Sequence, residues 1–285
     1  MIDKVTERSG LRCSALRLLF VFAFFALWGR PASGQCENPI TRFGSGEEVT
    51  YHAYYNWGFV WINAGKVTFA IDDSAWKGKK AWHIWSYGAT YKAYDLLFKV
   101  RDSLDVWVDP SSLQPFEFHR KTNEGSYTAH HHYLFDADKQ QVNASISKRD
   151  SAYRDTTFIW PECSFDLLSM VYHARNIDFL LYQEGDRIPI TMIVDGEVYN
   201  LYIRYLGKES VKDQSGREFR CLKFSPLLVE GTIFEDGENM FVWVTDDKNR
   251  IPIIVEAKIL VGSVKAVFVN ARGLKNPMDA EIKGN

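Results

Sequence analysis

Apolar and polar residues alternate at a period of two along most of this 285-residue chain beyond residue 47, and that restricts its fold more than any other feature. Successive side chains of a β-strand point to opposite faces, so an alternating segment buries one face and wets the other. In 48–57 (EVTYHAYYNW), Val49, Tyr51, Ala53, Tyr55 and Trp57 share one face, and Glu48, Thr50, His52, Tyr54 and Asn56 the other. Strand-like runs follow near 61–72, 80–89, 98–108, 115–122, 126–136, 140–147 and 152–159. A second series occupies 187–194, 197–206, 208–213, 218–225, 239–245, 251–259 and 262–270. Asp195-Gly196 predicts a two-residue hairpin turn, and Asn123-Glu124-Gly125 and Asp246-Asp247-Lys248-Asn249 predict longer hairpin loops. So many strands must curl or close to protect their edges. The expected fold is mainly β: an antiparallel curved sheet or incomplete barrel, continuous or in two related β halves, with one packed α-helix.

The helix is expected over 164–177 (SFDLLSMVYHARNI), with Ser164 as N-cap and Asp166 in the first turn. Phe165, Leu168 and Tyr172 form one apolar stripe and Leu167, Val171 and Ala174 the next, a width that suits burial against a sheet. A shorter helical turn is expected between Tyr91 and Phe98. Val106-Trp107-Val108 with Pro115 is echoed by Val242-Trp243-Val244 with Pro252, a weak internal repeat. The expected organisation is a leader over 1–34, an N-terminal β half over 35–160, a linking helix over 161–180, a C-terminal β half over 181–275 and a tail over 276–285.

Lys4, Arg8, Arg12 and Arg17 precede Leu18–Trp28, an uncharged apolar run of 11 residues. Spanning a bilayer takes about 20. The run reads as a cleaved signal peptide, with Ala32-Ser33-Gly34 before a cleavage at Gln35. The mature chain is therefore expected to be exported and periplasmic or outer-envelope associated in a Gram-negative bacterium, with no transmembrane segment. Of the four cysteines, Cys13 would leave with the signal. Cys36 and Cys163 lie in loop-like sequence and are the expected disulfide, while Cys221, inside FRCLKF, reads as a small buried hydrophobe.

The near-balance of 34 basic and 36 acidic residues offers no strongly basic surface, so nucleic acid is not an expected partner. No phosphate loop, nucleophile elbow, paired-cysteine motif or dinucleotide fingerprint is present, and neither cofactor nor catalytic residue is assigned. In His130-His131-His132 the outer two share a face, and His52 or His119 could add a third nitrogen. No carboxylate at a familiar spacing accompanies them, so no metal site is expected. Asp102 falls on a face with Val100, Leu104, Val106 and Val108, where a carboxylate must be paired or stay wet. Glu117 and His119 share a face as an acid and a base would, although period two makes such pairs common.

Aromatic residues make up 15% of the chain, more than one core layer needs. Trp57, Phe59 and Trp61 crowd one turn, Trp82 and Trp85 follow, and Leu227 and Leu228 belong to an apolar stretch over 224–234. These residues are the candidates for an apolar ligand surface.

Tyr55-Asn56-Trp57-Gly58, Ala64-Gly65, Lys99-Val100-Arg101-Asp102, 195–205 (DGEVYNLYIRY), Phe224-Ser225-Pro226-Leu227, Glu230-Gly231-Thr232-Ile233-Phe234 and 242–252 together resemble the exported bacterial family called domain of unknown function 3108, Bacteroidetes-type members above all. The resemblance runs over roughly 40–275 and implies an exported, mainly β protein with no established activity. The hairpin Val106–Pro110 with Pro115 is similar to one in periplasmic lipoprotein carriers and lipoprotein-sorting proteins. That likeness implies an incomplete β-barrel that holds acyl chains on a concave face. The expected function is non-enzymatic binding of a lipid, acyl chain, glycolipid or other envelope component on an aromatic-lined concave face. The alternatives are an envelope scaffold with an unnamed protein partner, or an enzyme acting on envelope glycan or lipid.

Overall fold

The computed structural model describes residues 42–57, 60–229, 237–259 and 262–283. The first strand series is β1 (Glu48–Trp57), β2 (Val60–Trp76), β3 (Lys79–Thr90), β4 (Arg101–Val108), β5 (Pro115–Glu124), β6 (Tyr127–Asp136), β7 (Gln141–Lys148) and β8 (Arg154–Ile159). After a short β9 (Ser164–Asp166) and a helix α1 (Leu167–Asn176), the second series is β10 (Arg187–Val194), β11 (Glu197–Lys212), β12 (Glu218–Pro226), β13 (Met240–Thr245), β14 (Pro252–Lys258), β15 (Ser263–Arg272) and β16 (Glu281–Ile282).

All strands belong to one curved, unclosed sheet in the order β8-β7-β6-β5-β4-β3-β2-β1-β15-β14-β13-β12-β11-β10-β9, with β16 beside β12. The two series meet where β1 and β15 pair antiparallel, from Glu48↔Arg272 to Tyr55↔Val264. The hairpins inside each series set the rest, because consecutive antiparallel strands need only short connections.

Four local readings are corrected. The runs 197–206 and 208–213 are one strand, β11, bulged where its register with β12 slips between Tyr205 and Lys208. Gly207 takes the positive φ of 87° that the bulge needs. The loop expected at Asn123–Gly125 is a tighter turn of Gly125 and Ser126, since Glu124 still pairs with Tyr127. The helix begins at Leu167 with Asp166 as its N-cap, whose carboxylate accepts from Leu168 N (2.9 Å), Ser169 N (3.0 Å) and Ser169 Oγ (2.5 Å). Ser164 is in β9 instead, because residues 164–166 find a parallel partner in Thr191–Ile193 of β10. Finally, the C-terminal segment is not a bare tail, since β16 pairs with Glu218 and Phe219 of β12. The expected hairpin at Asp195-Gly196 forms with both residues at positive φ (52° and 84°), the conformation a two-residue turn between twisted strands prefers.

The helix buries Leu168, Met170 and Tyr172 against β3, β4 and β10. Tyr172 meets Phe43 edge-on, with centroids 5.1 Å apart. One turn further along the helix, the buried Arg175 forks onto the buried Glu47 at 2.5 and 3.0 Å, donates to Asn249 O and lies over the Phe43 ring. A second part of the core joins Val49 and Tyr51 of β1 to Phe219 and Cys221 of β12, Ile251, Ile253 and Phe268. Burial pushes the free Cys221 thiol up to about 12, so it is an inert filler. Cys163 is disulfide-bonded, and Cys36, its expected partner, lies outside the described residues. Among the described residues no helix is long and apolar enough to cross a membrane.

Candidate functional site

Period two places Val106 and Val108 of β4, Phe118 of β5 and Tyr133 of β6 on the buried face. The intervening residues stand on the opposite face, where register sets Asp105 beside His119 and His119 beside His132. The Nε2 atoms of His119 and His132 each lie 2.9 Å from the same oxygen, Glu117 Oε1. The other oxygen, Oε2, accepts from the Trp76 indole at 2.7 Å. Partial burial works against ionisation of Glu117, but these three hydrogen bonds outweigh it and hold the carboxyl below its usual value. The two imidazoles stack with centroids 4.2 Å apart. Next to them His83 stacks on Trp107 and contacts Asp105 at 3.0 Å. Glu117, His119 and His132 are thus a two-imidazole, one-carboxylate cluster with its donor atoms within 4.8 Å of one another. Among the three consecutive histidines, His132 joins this cluster. His130 meets Tyr153, and the buried His131 points to the other face.

Polar groups also lie on the buried face. Asp195, at the β10–β11 turn, contacts His131 Nε2 at 3.1 Å, Lys148 Nζ at 3.0 Å and Arg120 at 3.7 Å. His131 first, and Lys148 after it, hold the Asp195 carboxyl well below the usual range against the opposing effect of burial. The next residue, Gly196, donates its N–H to Tyr133 Oη at 2.9 Å. Arg120, His131, Tyr133 and Asp195 line a small pocket that Phe118, Leu167 and Ile193 complete. Asp102 is neither at an edge nor in an ion pair among the described residues. It accepts from Asn123 N at 2.8 Å and shares a hydrogen bond with the Glu124 carboxyl, which burial and then the Asp102 charge lift to about 7.

A third feature is an apolar end. The β1–β2, β3–β4, β12–β13 and β14–β15 connections all leave the same end of neighbouring strands. Their sequences include Trp57 to Val60, Leu96-Leu97-Phe98, 226–234 (PLLVEGTIF) and 259–262 (ILVG). Parts of three of them, 58–59, 230–236 and 260–261, lie outside the described residues. In the described parts Leu96 is 97% exposed, Leu97 72% and Phe98 55%. The exposed Lys92 and Lys99 flank these three. At the opposite end the hairpin connections are polar, as in 109–114 (DPSSLQ), 213–217 (DQSGR) and 246–249 (DDKN), although Leu180 and Leu181, in the connection that enters β10, are 64% and 79% exposed.

A model of a family described as a protein of unknown function, DUF3108, matches residues 50–269. This chain belongs to the DUF3108 family. The fold of this DUF3108 chain is similar to a β-barrel-like protein of the domain of unknown function DUF1849 from Brucella abortus. The TM-score is 0.52 at 8% identity, over 79% of this chain and 96% of the other. Identity that low speaks for the fold alone. A translation initiation factor IF-3 of Ureaplasma parvum is 27% identical over 85 residues, 30% of this chain, and the chain spans 47% of that protein's length.

The DUF3108 chain does not gather its expected ligand residues onto one surface. Trp82 lies on the buried face, 6.4 Å from Phe43, whereas Trp85 is on the opposite face with its indole donating to Asp72. Trp61 lies under Lys265, whose ammonium is 4.5 Å from the ring centroid. Leu227 N and Leu228 N bond Tyr202 O and Gly237 O, so both leucines sit at the apolar end. The Trp57 side chain and Phe59 fall outside what is described. Sequence reasoning passed over Leu96, Leu97 and Phe98, although three consecutive large apolar residues in a connection were a signal.

Proposed function

We propose that this DUF3108 protein is exported to the cell envelope and binds an amphiphilic lipid surface through the apolar end of its sheet, without catalysis. The exposure of Leu96, Leu97 and Phe98 in a structured connection carries this reading. Connections are ordinarily polar, and contiguous exposed apolar residues mark contact surfaces. Their place beside three further apolar connections at one end, against polar hairpin connections at the other, suits docking by that end. Tyr91 and Tyr94 with Lys92 and Lys99 add the aromatic and basic residues typical of a lipid interface.

Burying a leucine or phenylalanine side chain contributes about 1.5–3 kcal/mol, so these three at their exposures offer roughly 3–7 kcal/mol. Each lysine near an anionic leaflet adds about 1 kcal/mol. The expected attachment is reversible, with a dissociation constant of about millimolar to micromolar order.

The test is co-sedimentation with phosphatidylcholine vesicles, with and without phosphatidylglycerol. The unaltered protein should sediment with vesicles, more so with phosphatidylglycerol, and Leu96→Ser/Leu97→Ser/Phe98→Ser should stay in solution while keeping its melting temperature. Equal sedimentation of the triple variant, or none by the unaltered protein, refutes the reading. The second result would turn the same patch into a protein-docking surface.

A further inference from the structure

We propose that Glu117, His119 and His132 form a binding site for a late first-row divalent metal ion, with zinc as the reference case. The site lies apart from the apolar end and does not depend on the lipid reading.

The donor atoms converge without a loop to hold them. Glu117 and His119 are two residues apart on β5, and His132 is the registered neighbour of His119 on β6. Both strands are interior to the sheet, flanked by β4 and β7, and such a frame positions ligands better than a loop does. One imidazole on a carboxylate is an ordinary surface pair. Here two imidazoles at part-exposed positions, 33% and 37%, both turn inward to one oxygen. Each has open space in which to turn away, yet they stack at 4.2 Å with planes 12° apart.

The carboxylate is also oriented. The Trp76 indole holds Oε2 at 2.7 Å and leaves Oε1 for the imidazoles, as outer partners of metal ligands commonly do. Trp76 is itself fixed by stacking on Phe116, with centroids 5.1 Å apart. Zinc bonds nitrogen and oxygen at about 2.0–2.2 Å, which sets tetrahedral ligand separations near 3.4 Å. The present 2.9 Å contacts would open by about half an ångström. The two rings would rotate out of their stack so that their lone pairs meet at the ion, a movement part-exposed side chains can make.

Two nitrogens and one carboxylate oxygen suit zinc, nickel or copper, whereas calcium and magnesium favour all-oxygen shells. Three protein ligands leave an outward position for water. Asp105, opposite His119, is engaged by His83 and completes no fourth ligand in this arrangement.

The test uses the full chain, expressed with its own leader and purified without a polyhistidine tag. Zinc chloride is titrated calorimetrically, and cobalt is used to read coordination from its visible absorption. One equivalent of zinc should bind. His119→Ala, His132→Ala and Glu117→Gln should each weaken binding by more than the roughly tenfold to hundredfold that loss of an outer partner costs, and Trp76→Phe by about that amount. His83→Ala and His130→Ala should leave binding unchanged. Melting temperatures establish that each variant is folded. Absence of stoichiometric zinc binding overturns the proposal, as does equal binding by His119→Ala and His132→Ala. A loss in His130→Ala as large as that in His132→Ala also overturns it, by moving the ion to the same-strand histidine pair.

Discussion

Replacing Glu124 by glutamine should stabilise this protein at neutral pH, with an amide N–H donating to Asp102 in place of the carboxyl proton. Burial, and after it the Asp102 charge, lift the Glu124 carboxyl from 4.5 to about 7, and the nearby Arg120 only partly opposes them. The folded state therefore holds a proton here that the unfolded chain gives up. Its contribution is fully present below about pH 4.5 and is lost as pH rises through about 7. For a fully buried group that displacement is worth about 3 kcal/mol. Glu124 is only partly buried, and water screens it to about 1–2 kcal/mol. For a protein of this size the difference is a few degrees, about 2–6 °C in melting temperature. Glutamine keeps the shape and an amide donor for Asp102 but carries no charge at any pH. Melting followed by circular dichroism from pH 4 to pH 8 should show the two proteins together at the acid end and Glu124→Gln melting higher at pH 8. Asp102→Asn should move the profile in the same direction by removing the other charge. If Glu124→Gln melts lower at pH 8, or its advantage does not grow with pH, the two carboxyls do not share a proton and the reasoning fails.

Two further substitutions test how the helix is held. Glu47→Gln strips the buried Arg175 of its counter-charge and should cost about 3–5 kcal/mol, read from the urea midpoint. A loss under 1 kcal/mol would mean that water reaches Arg175. Asp166→Ala removes the N-cap and should cost about 1–2 kcal/mol, whereas Asp166→Asn keeps an acceptor for Leu168 N and Ser169 N and should cost less, checked by the same unfolding curves.

The strands were legible because nearly every one is buried on one face and wet on the other, the case in which period two survives into sequence. The parallel strand β9 was not, since three residues are too few to show a period and Ser164 is as good a cap by type as Asp166. The histidine cluster was hidden by a single turn. A loop at Asn123–Gly125 would set Thr122 against Ser126, His119 against Ala129 and Glu117 against His131, with His132 opposite Phe116 on the other face. The turn at Gly125-Ser126 moves the pairing by three residues and sets His119 against His132 instead, and an odd shift of this kind exchanges the faces that meet. Trp82 and Trp85 show the reverse error. An odd spacing on one strand already placed them on opposite faces, so grouping them as one ligand wall contradicted the pattern that had revealed the strand.

The two proposed surfaces can be tested against each other because β5 measures the distance between them. Gly125 N bonds Lys99 O at 2.8 Å, so the end of β5 lies beside the connection that carries Leu96, Leu97 and Phe98. Glu117 lies seven residues back from Glu124 along an extended strand, about 23 Å away. That spacing keeps the metal cluster in water when the apolar end meets lipid, and it separates the consequences of substitution. The triple variant at Leu96, Leu97 and Phe98 should bind zinc as the unaltered protein does, and His132→Ala should sediment with vesicles unchanged. A substitution at either place that abolishes both properties has damaged the sheet between them, and its melting temperature will have fallen. If the melting temperature holds while both properties are lost, the two surfaces are one site and both assignments must be redrawn.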